Sequence, residues 1–163
     1  MHTDGGFDAF YVRRFEQVVR AVLALTDSRE EAFDIAQEAF VRAWQRWQSF
    51  ATDEQGLYFT LRVATNIANS RLRRLIRLRH LLPRLASTPV DARDPAANIE
   101  GRDEVQRLLA SLPRQQRRIV VMCDGLDLTP NDVAEVLRIS PSTVRVHLSR
   151  AHRRMRATVH QRD

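Results

Sequence analysis

The sequence predicts an all-α protein: two small helical domains, residues 1–82 and 99–163, joined by a flexible, extended linker over 83–98. Three observations carry this. Apolar residues recur at helical spacing through the first domain, with no strand-like alternation to compete. Residues 83–98, PRLASTPVDARDPAAN, hold Pro83, Pro89 and Pro95 and almost no large apolar side chain, so they bury too little surface to offset their ordering entropy. Residues 129–156 contain two cap-and-proline helix starts in close succession, which marks a helix-turn-helix.

The first helix is read from Phe7, Phe10, Tyr11, Phe15, Val18, Val19, Val22 and Leu23, which share one face. Ser28 and Glu31 have capping-box spacing and open a second helix running to about Trp47. Its inner face is Ala32, Ile35, Ala36, Ala39, Phe40, Ala43 and Trp47. Asp34, Glu38, Val41, Arg42 and Gln45 form a separate exposed stripe, with Gln37 beside it. A polar break from Ser49 to Gly56 precedes a third helix, Leu57 to Arg79, expected to bury Leu61, Ala64, Ala68, Leu72 and Leu75. Along that helix Arg62, Asn66, Asn69, Arg73 and Arg77 make one polar row, and residues 62–79 hold six arginines and no acid. Amides among arginines suit nucleic acid, since an amide pairs with a base edge while a guanidinium holds phosphate.

Beyond the linker, a helix from Ile99 to Leu112 stops at Pro113, and Arg114 to Gly125 forms another. Thr129–Pro130 then opens a short helix with Val133, Ala134 and Leu137 inward, ending near Arg138. Ser140–Pro141 opens the next, with Val144, Leu148, Ala151 and Met155 as its buried stripe. Its other face shows Ser142, Arg145, Val146, Ser149, Arg150 and Arg153. From Arg138 to Arg156 there are six arginines and no acid. Two capped helices around a short turn, the second one basic, are the pattern of a major-groove reader. An amphipathic helix with a solvated basic face would explain the arginines but not the paired caps.

Composition bounds the setting. The 163 residues carry 26 basic and 20 acidic side chains, a net charge of +6, and every basic residue of the lysine–arginine class is arginine. This balance fits a polyanionic partner, although charge also serves solubility. Cys123 is alone, which excludes an intramolecular disulfide and a cysteine zinc cluster, and its apolar surroundings read as core. The histidines are scattered without metal-ligand spacing, so neither metal nor cofactor is expected. No apolar run reaches membrane-spanning length and the N-terminus lacks a signal-peptide pattern. A reduced, cytoplasmic protein with no membrane insertion is expected.

The chain resembles the extracytoplasmic-function (ECF) group of the sigma-70 family, bacterial RNA polymerase sigma factors reduced to region two and region four. The resemblance rests on DIAQEAFVRAW (Asp34–Trp44), LRVATNIANSRLRR (Leu61–Arg74), LLASLPRQQRRIVV (Leu108–Val121) and DVAEVLRISPSTVRVHLSRAHRRMR (Asp132–Arg156). Four segments in the right order around a proline-rich gap make it specific. It covers roughly Phe7 to Thr158.

The resemblance implies that core RNA polymerase, through its largest and second-largest subunits, and promoter DNA are the partners, with no catalysis by the chain itself. Asp34, Gln37, Glu38, Val41, Arg42 and Gln45 would dock on the clamp helices of the largest subunit. Arg62, Asn66, Asn69, Ser70 and Arg73 would read the −10 element as its strands separate, with the Ser49–Gly56 break holding a flipped-out base. Arg145, Val146 and Ser149 would read the −35 element in the major groove, with Ser142, His147, Arg150 and Arg153 near phosphates. The linker would lie in the active-site and RNA-exit channel, and an anti-sigma factor is a further partner the family commonly uses. This chain departs from the common pattern at Phe59, where many members have tryptophan, at Ser70, where an acid is frequent, and at Val146 and His147, where serine and arginine are commoner.

Two other classes bear comparison. ISPSTVRVHLSR also resembles the C-terminal helix-turn-helix of response regulators, a conventional transcriptional regulator that does not act as a sigma subunit. Those proteins carry an α/β receiver with acidic strand ends, and the first domain here reads as all-helical. A nucleic-acid-processing enzyme would need a phosphate loop, a nucleophile–histidine pair or a metal cluster, and the sequence has none of these. Asp34 with Glu38 could be taken for paired carboxylates, but acids four apart on an exposed face fit a docking surface better.

Overall fold

The computed structural model describes residues 4–26, 28–81 and 100–160, and among them every regular element is helical. Helix α1 (Asp4–Leu23), α2 (Arg29–Trp44) and α3 (Asp53–Leu81) form the first unit, with one 3₁₀ turn at Trp47–Ser49. Helix α4 (Glu100–Ala110), α5 (Arg114–Val120), a π-helical turn (Val121–Gly125), α6 (Pro130–Leu137) and α7 (Pro141–His160) form the second. The proline-rich stretch 83–98 and Ile99 lie outside the described residues.

The first core is aromatic and alanine-lined. Ala32, Ile35, Ala36, Ala39, Phe40, Ala43 and Trp47 are all buried, as their spacing implies. Small side chains along α2 let its neighbours approach, and the space is filled from α1: the Phe10 ring lies 4.8 Å from Trp47 and 5.6 Å from Phe40, centroid to centroid. Gly56 sits against this cluster, where an added Cβ would meet Trp47 at 3.2 Å and Phe10 at 3.3 Å. α3 crosses the indole closely here, so a side chain at this position would make the two rings give by a few tenths of an ångström.

Three local expectations change. The Ser28 hydroxyl accepts from the Glu31 N–H at 3.2 Å, but the Glu31 carboxylate turns toward Arg71, 4.0 Å away, so the cap is one-sided. α3 begins at Asp53, four residues early, because the Thr52 hydroxyl accepts from the Gln55 N–H and the Gln55 side chain accepts from the Ala51 N–H. The break is therefore short, and Asp53–Gly56 is the first turn of a helix. Leu72 is only half-buried and Leu75 is 43% exposed, against the expectation that both are core. The reason is length. α3 has 29 residues and α2 has 16, about 43 Å against about 24 Å, so beyond Ala68 it outruns the helices that cover it.

The second unit is held by local devices. The Arg117 guanidinium donates to the carbonyls of Ala110 and Leu112, closing the end of α4. Thr129 and Asp132 form a full capping box on α6. α6 ends at Arg138, whose left-handed φ of 55° reverses the chain while the Ile139 N–H bonds back to the Ala134 carbonyl at 3.1 Å. Val133, Ala134 and Val136 are the buried face, with Leu137 half-buried, so Val136 joins the expected set. Cys123 is half-buried, and burial pushes its thiol up to about 11, with Asp124 and Asp132 adding to the shift. The two units do not stand apart: α6 packs on α3, and the π turn touches α1.

Candidate nucleic-acid interface

α7 is oriented from both sides. The Ser140 hydroxyl accepts from the Thr143 N–H at 3.1 Å, which caps the helix start. Val144 and Ala151 are fully buried, with Leu148 and Met155 packed beside them, so the rotation of the helix is set. Asp124 on the π turn meets His152 Nε2 at 2.7 Å, pinning the helix further along. The outer face then presents Ser142, Arg145, Val146, Ser149, Arg150 and Arg153 to solvent, with His147 half-buried at its edge. Among the described residues no ion pair engages Arg145, Arg150 or Arg153. Arg145 rests 3.5 Å from the Asn131 side-chain oxygen on α6.

The polar row on α3 divides. Asn66, Ser70, Arg73 and Arg77 are exposed, and Asn69 is half-buried. Arg62 is half-buried, and burial lowers its pKa first, with Arg138 of α6 lowering it further. It also stacks on Phe59, its guanidinium carbon 5.7 Å from the ring centroid, while Arg46 stacks on the same ring at 5.3 Å. Phe50 lies 5.3 Å from Phe59, so the short break carries an aromatic pair framed by two guanidinium groups. Arg46 and Phe50 were not singled out from the sequence, because both meet at Phe59 on α3, beyond the reach of local spacing.

On α2, Asp34, Gln37, Val41, Arg42 and Gln45 are exposed and Glu38 is half-buried. Glu38 and Arg42 pair at 2.7 Å, and Arg71 of α3 reaches the other Glu38 oxygen at 3.3 Å. Glu38, Arg42, Asn66, Ile67, Ser70 and Arg71 line one open cleft of about 310 Å³. The α2 stripe and the α3 row, separate in sequence, are thus walls of a continuous surface. Trp44 was missed. It stands 58% exposed, one turn beyond Val41 at 54%, and its signal was an aromatic residue off the buried stripe of α2.

Residues 10–94 match the sigma-70 region 2 family model, and residues 102–155 match the sigma-70 region 4 model. The ECF sigma factor SigM of Mycobacterium tuberculosis is 30% identical over 91% of this chain and 74% of its own length. The chain is an ECF sigma factor of the sigma-70 family. It directs core RNA polymerase to specific promoters for transcription initiation. SigW of Bacillus subtilis, another ECF sigma factor, is 28% identical over 77% of this chain and 74% of its own. The fold agrees with two solved structures. The sigma factor RpoE, in complex with the anti-sigma factor NepR from Bartonella quintana, superposes with a TM-score of 0.73 at 16% identity, covering 94% of this chain and 96% of that one. CnrH, in complex with the cytosolic domain of CnrY, gives 0.74 at 19% identity, covering 99% and 92%.

No helix among the described residues is long and apolar enough to cross a membrane, and no cluster of three metal-ligating side chains occurs there.

Proposed function

We propose that this ECF sigma factor divides its work between residues 1–82, which dock on core polymerase and take the −10 element, and residues 99–163, which take the −35 element. The observation that supports this best is the outer face of α7. Its arginines and serines are exposed and without ion pairs among the described residues, on a helix whose rotation is fixed by buried Val144 and Ala151. Arg145 enters the groove to pair with guanine, the commonest direct readout, with Val146 and Ser149 beside it. Ser142, His147, Arg150 and Arg153 hold the phosphates that flank it.

On the first unit, Asp34, Gln37, Glu38, Val41, Arg42 and Gln45 make the polymerase-binding face, with exposed Trp44 as its apolar anchor. Tryptophan is the residue type most often found at the energetic centre of an interface. Asn66, Asn69, Ser70 and Arg73 contact the separated −10 strand, and Arg62 joins them with Phe59 as a stacking surface. Because docking face and row share one cleft, core binding and strand capture reinforce each other. The chain works as a non-enzymatic subunit in the cytoplasm, where its polymerase is. By analogy with RpoE, which was solved bound to NepR, an anti-sigma factor holds it inactive by covering these faces.

Promoter-dependent transcription by core polymerase supplemented with the purified chain tests the whole reading. Transcripts starting from a defined promoter are expected. Retention on promoter duplex without any gain in transcription would instead favour a conventional helix-turn-helix regulator.

A further inference from the structure

The outer face of α7 is polar except at its crest. Among the described residues of α7 only Val146 and Val159 are exposed large apolar side chains, at 47% and 41%. At 3.6 residues per turn Val159 falls about 60° from Val144, on the flank of the buried stripe, whereas Val146 falls about 200° from it. Val146 therefore points directly away from the body of the unit. The rotation that puts it there is fixed, because Val144 and Ala151 are sealed and the Asp124–His152 contact at 2.7 Å holds the middle of the helix.

Its neighbours leave it accessible. Ser142 and Thr143, one turn earlier, bring their hydroxyls to the Ser140 hydroxyl at 2.9 and 2.7 Å, so both are drawn back into the helix cap. Ser149, one turn later, is exposed and equally short. A short branched side chain between such neighbours can lie flat on a base edge without a longer one holding the two surfaces apart. Val146 is also the sixth residue of α7, within the first two turns, where recognition helices make their base contacts.

An exposed valine has no use on a face that only holds phosphate. It is a poorer helix former than alanine and offers a phosphate oxygen no donor. What it does supply is a pair of methyl groups held in one dominant rotamer by β-branching, so that a contact orders nothing further. The base edges in the major groove present donors, acceptors and a single kind of apolar group, the C5-methyl of thymine.

We propose that Val146 is a specificity residue that packs on a thymine C5-methyl in the −35 duplex. This rests on the assignment of the outer face of α7 to that element. The thymine lies within about two base pairs of the pair whose identity Arg145 controls, since the two side chains leave Cα atoms about 3.8 Å apart and base pairs rise about 3.4 Å each.

The test uses core polymerase carrying the full-length chain or its Val146→Ala variant, on duplex promoters with a constant −10 element. Wild-type holoenzyme first selects its preferred −35 sequence from a randomised pool. Each thymine of that sequence, on either strand, is then replaced in turn by deoxyuridine, which removes the methyl group and nothing else. At one thymine the uracil should weaken wild-type binding about 3- to 10-fold, the effect of withdrawing one methyl from an apolar contact. Val146→Ala should bind the thymine site more weakly by a similar factor and should not distinguish thymine from uracil there. Alanine favours the helix, so the variant keeps its fold. A selected sequence without thymine near the Arg145 position, or uracil tolerated by wild type at every thymine, overturns the contact. A uracil penalty of equal size in Val146→Ala overturns it too, and gives the methyl to another side chain. Loss of all −35 sequence preference in the wild type would be a different failure, overturning the −35 assignment of α7 itself.

Discussion

Arg145→Ala is the sharpest probe of how α7 meets DNA. Arg145 is the fifth residue of the helix, about 6 Å along its axis from Pro141, and exposed on the side opposite buried Val144 and Ala151. Its rest position against Asn131 costs little to leave, since a neutral acceptor at 3.5 Å is a weak tether. A bidentate arginine–guanine contact is worth about 1–3 kcal/mol of discrimination, so the variant should lose between about 5- and 150-fold preference at one or two −35 positions. Folding stability should move by no more than about 0.5 kcal/mol, because the side chain is on the surface. Arg153 supplies the control. It lies eight residues on, about 12 Å along the axis, which is a full major-groove width. Arg153→Ala should therefore lower affinity evenly across sequences and reduce the salt slope by about 0.9. The assay is selection from randomised −35 sequences by wild type and both variants as holoenzyme, at two salt concentrations. An unchanged base preference for Arg145→Ala would mean that a different face of α7 enters the groove.

Three further outcomes are expected. Trp44→Ala and Arg42→Glu should each weaken holoenzyme assembly in a core-polymerase competition assay while moving stability by less than about 1 kcal/mol, since both side chains are exposed and the Arg42–Glu38 pair is a surface pair; wild-type competition by both would remove the docking face from α2. Leu61→Ala should cost about 2–5 kcal/mol in urea unfolding, whereas Leu75→Ala should cost under about 0.5, because one is fully buried and the other 43% exposed; equal costs would mean that α3 is covered along its whole length. The Tyr58 phenol is pushed from 10.0 up to about 12, mainly by burial and next by the nearby Asp132 carboxylate. Because the folded value is the higher one, its contribution is complete below about pH 10 and is lost as pH rises through 12. Phenolate absorbance should show this late titration, and Asp132→Asn should bring it partway down; an unmoved midpoint would deny the contact.

How much of this was legible follows from the range of each interaction. The α6 and α7 caps join residues three apart, Thr129 with Asp132 and Ser140 with Thr143, so residue type and spacing were enough to locate both helices. The α2 core was legible for the same reason: a period of 3.6 puts Ala32, Ile35, Ala39 and Ala43 on one side whatever they pack against. The early start of α3 was readable in principle, since Thr52 and Gln55 are near neighbours, but the glycine and polar residues around them read more strongly as a loop.

Periodicity shows which face of a helix is apolar, not whether anything lies against it. Leu61 and Leu75 sit on the same stripe of α3, and the tertiary structure alone decides that one is sealed by α1 and α2 while the other projects beyond them. Trp44 is exposed for a like reason, since the aromatic cluster is already filled by Phe7, Phe10, Phe40 and Trp47. Arg71 reaching Glu38, Arg46 and Arg62 sharing the Phe59 ring, and Arg118 meeting Thr65 depend on residues brought together from distant turns or separate units. Local chemistry by itself determined the helices, their caps and the basic face of α7. The joining of docking stripe to −10 row, and the packing of one unit across the other, were decided only by the fold, because such contacts depend on where chain-distant backbones come to rest.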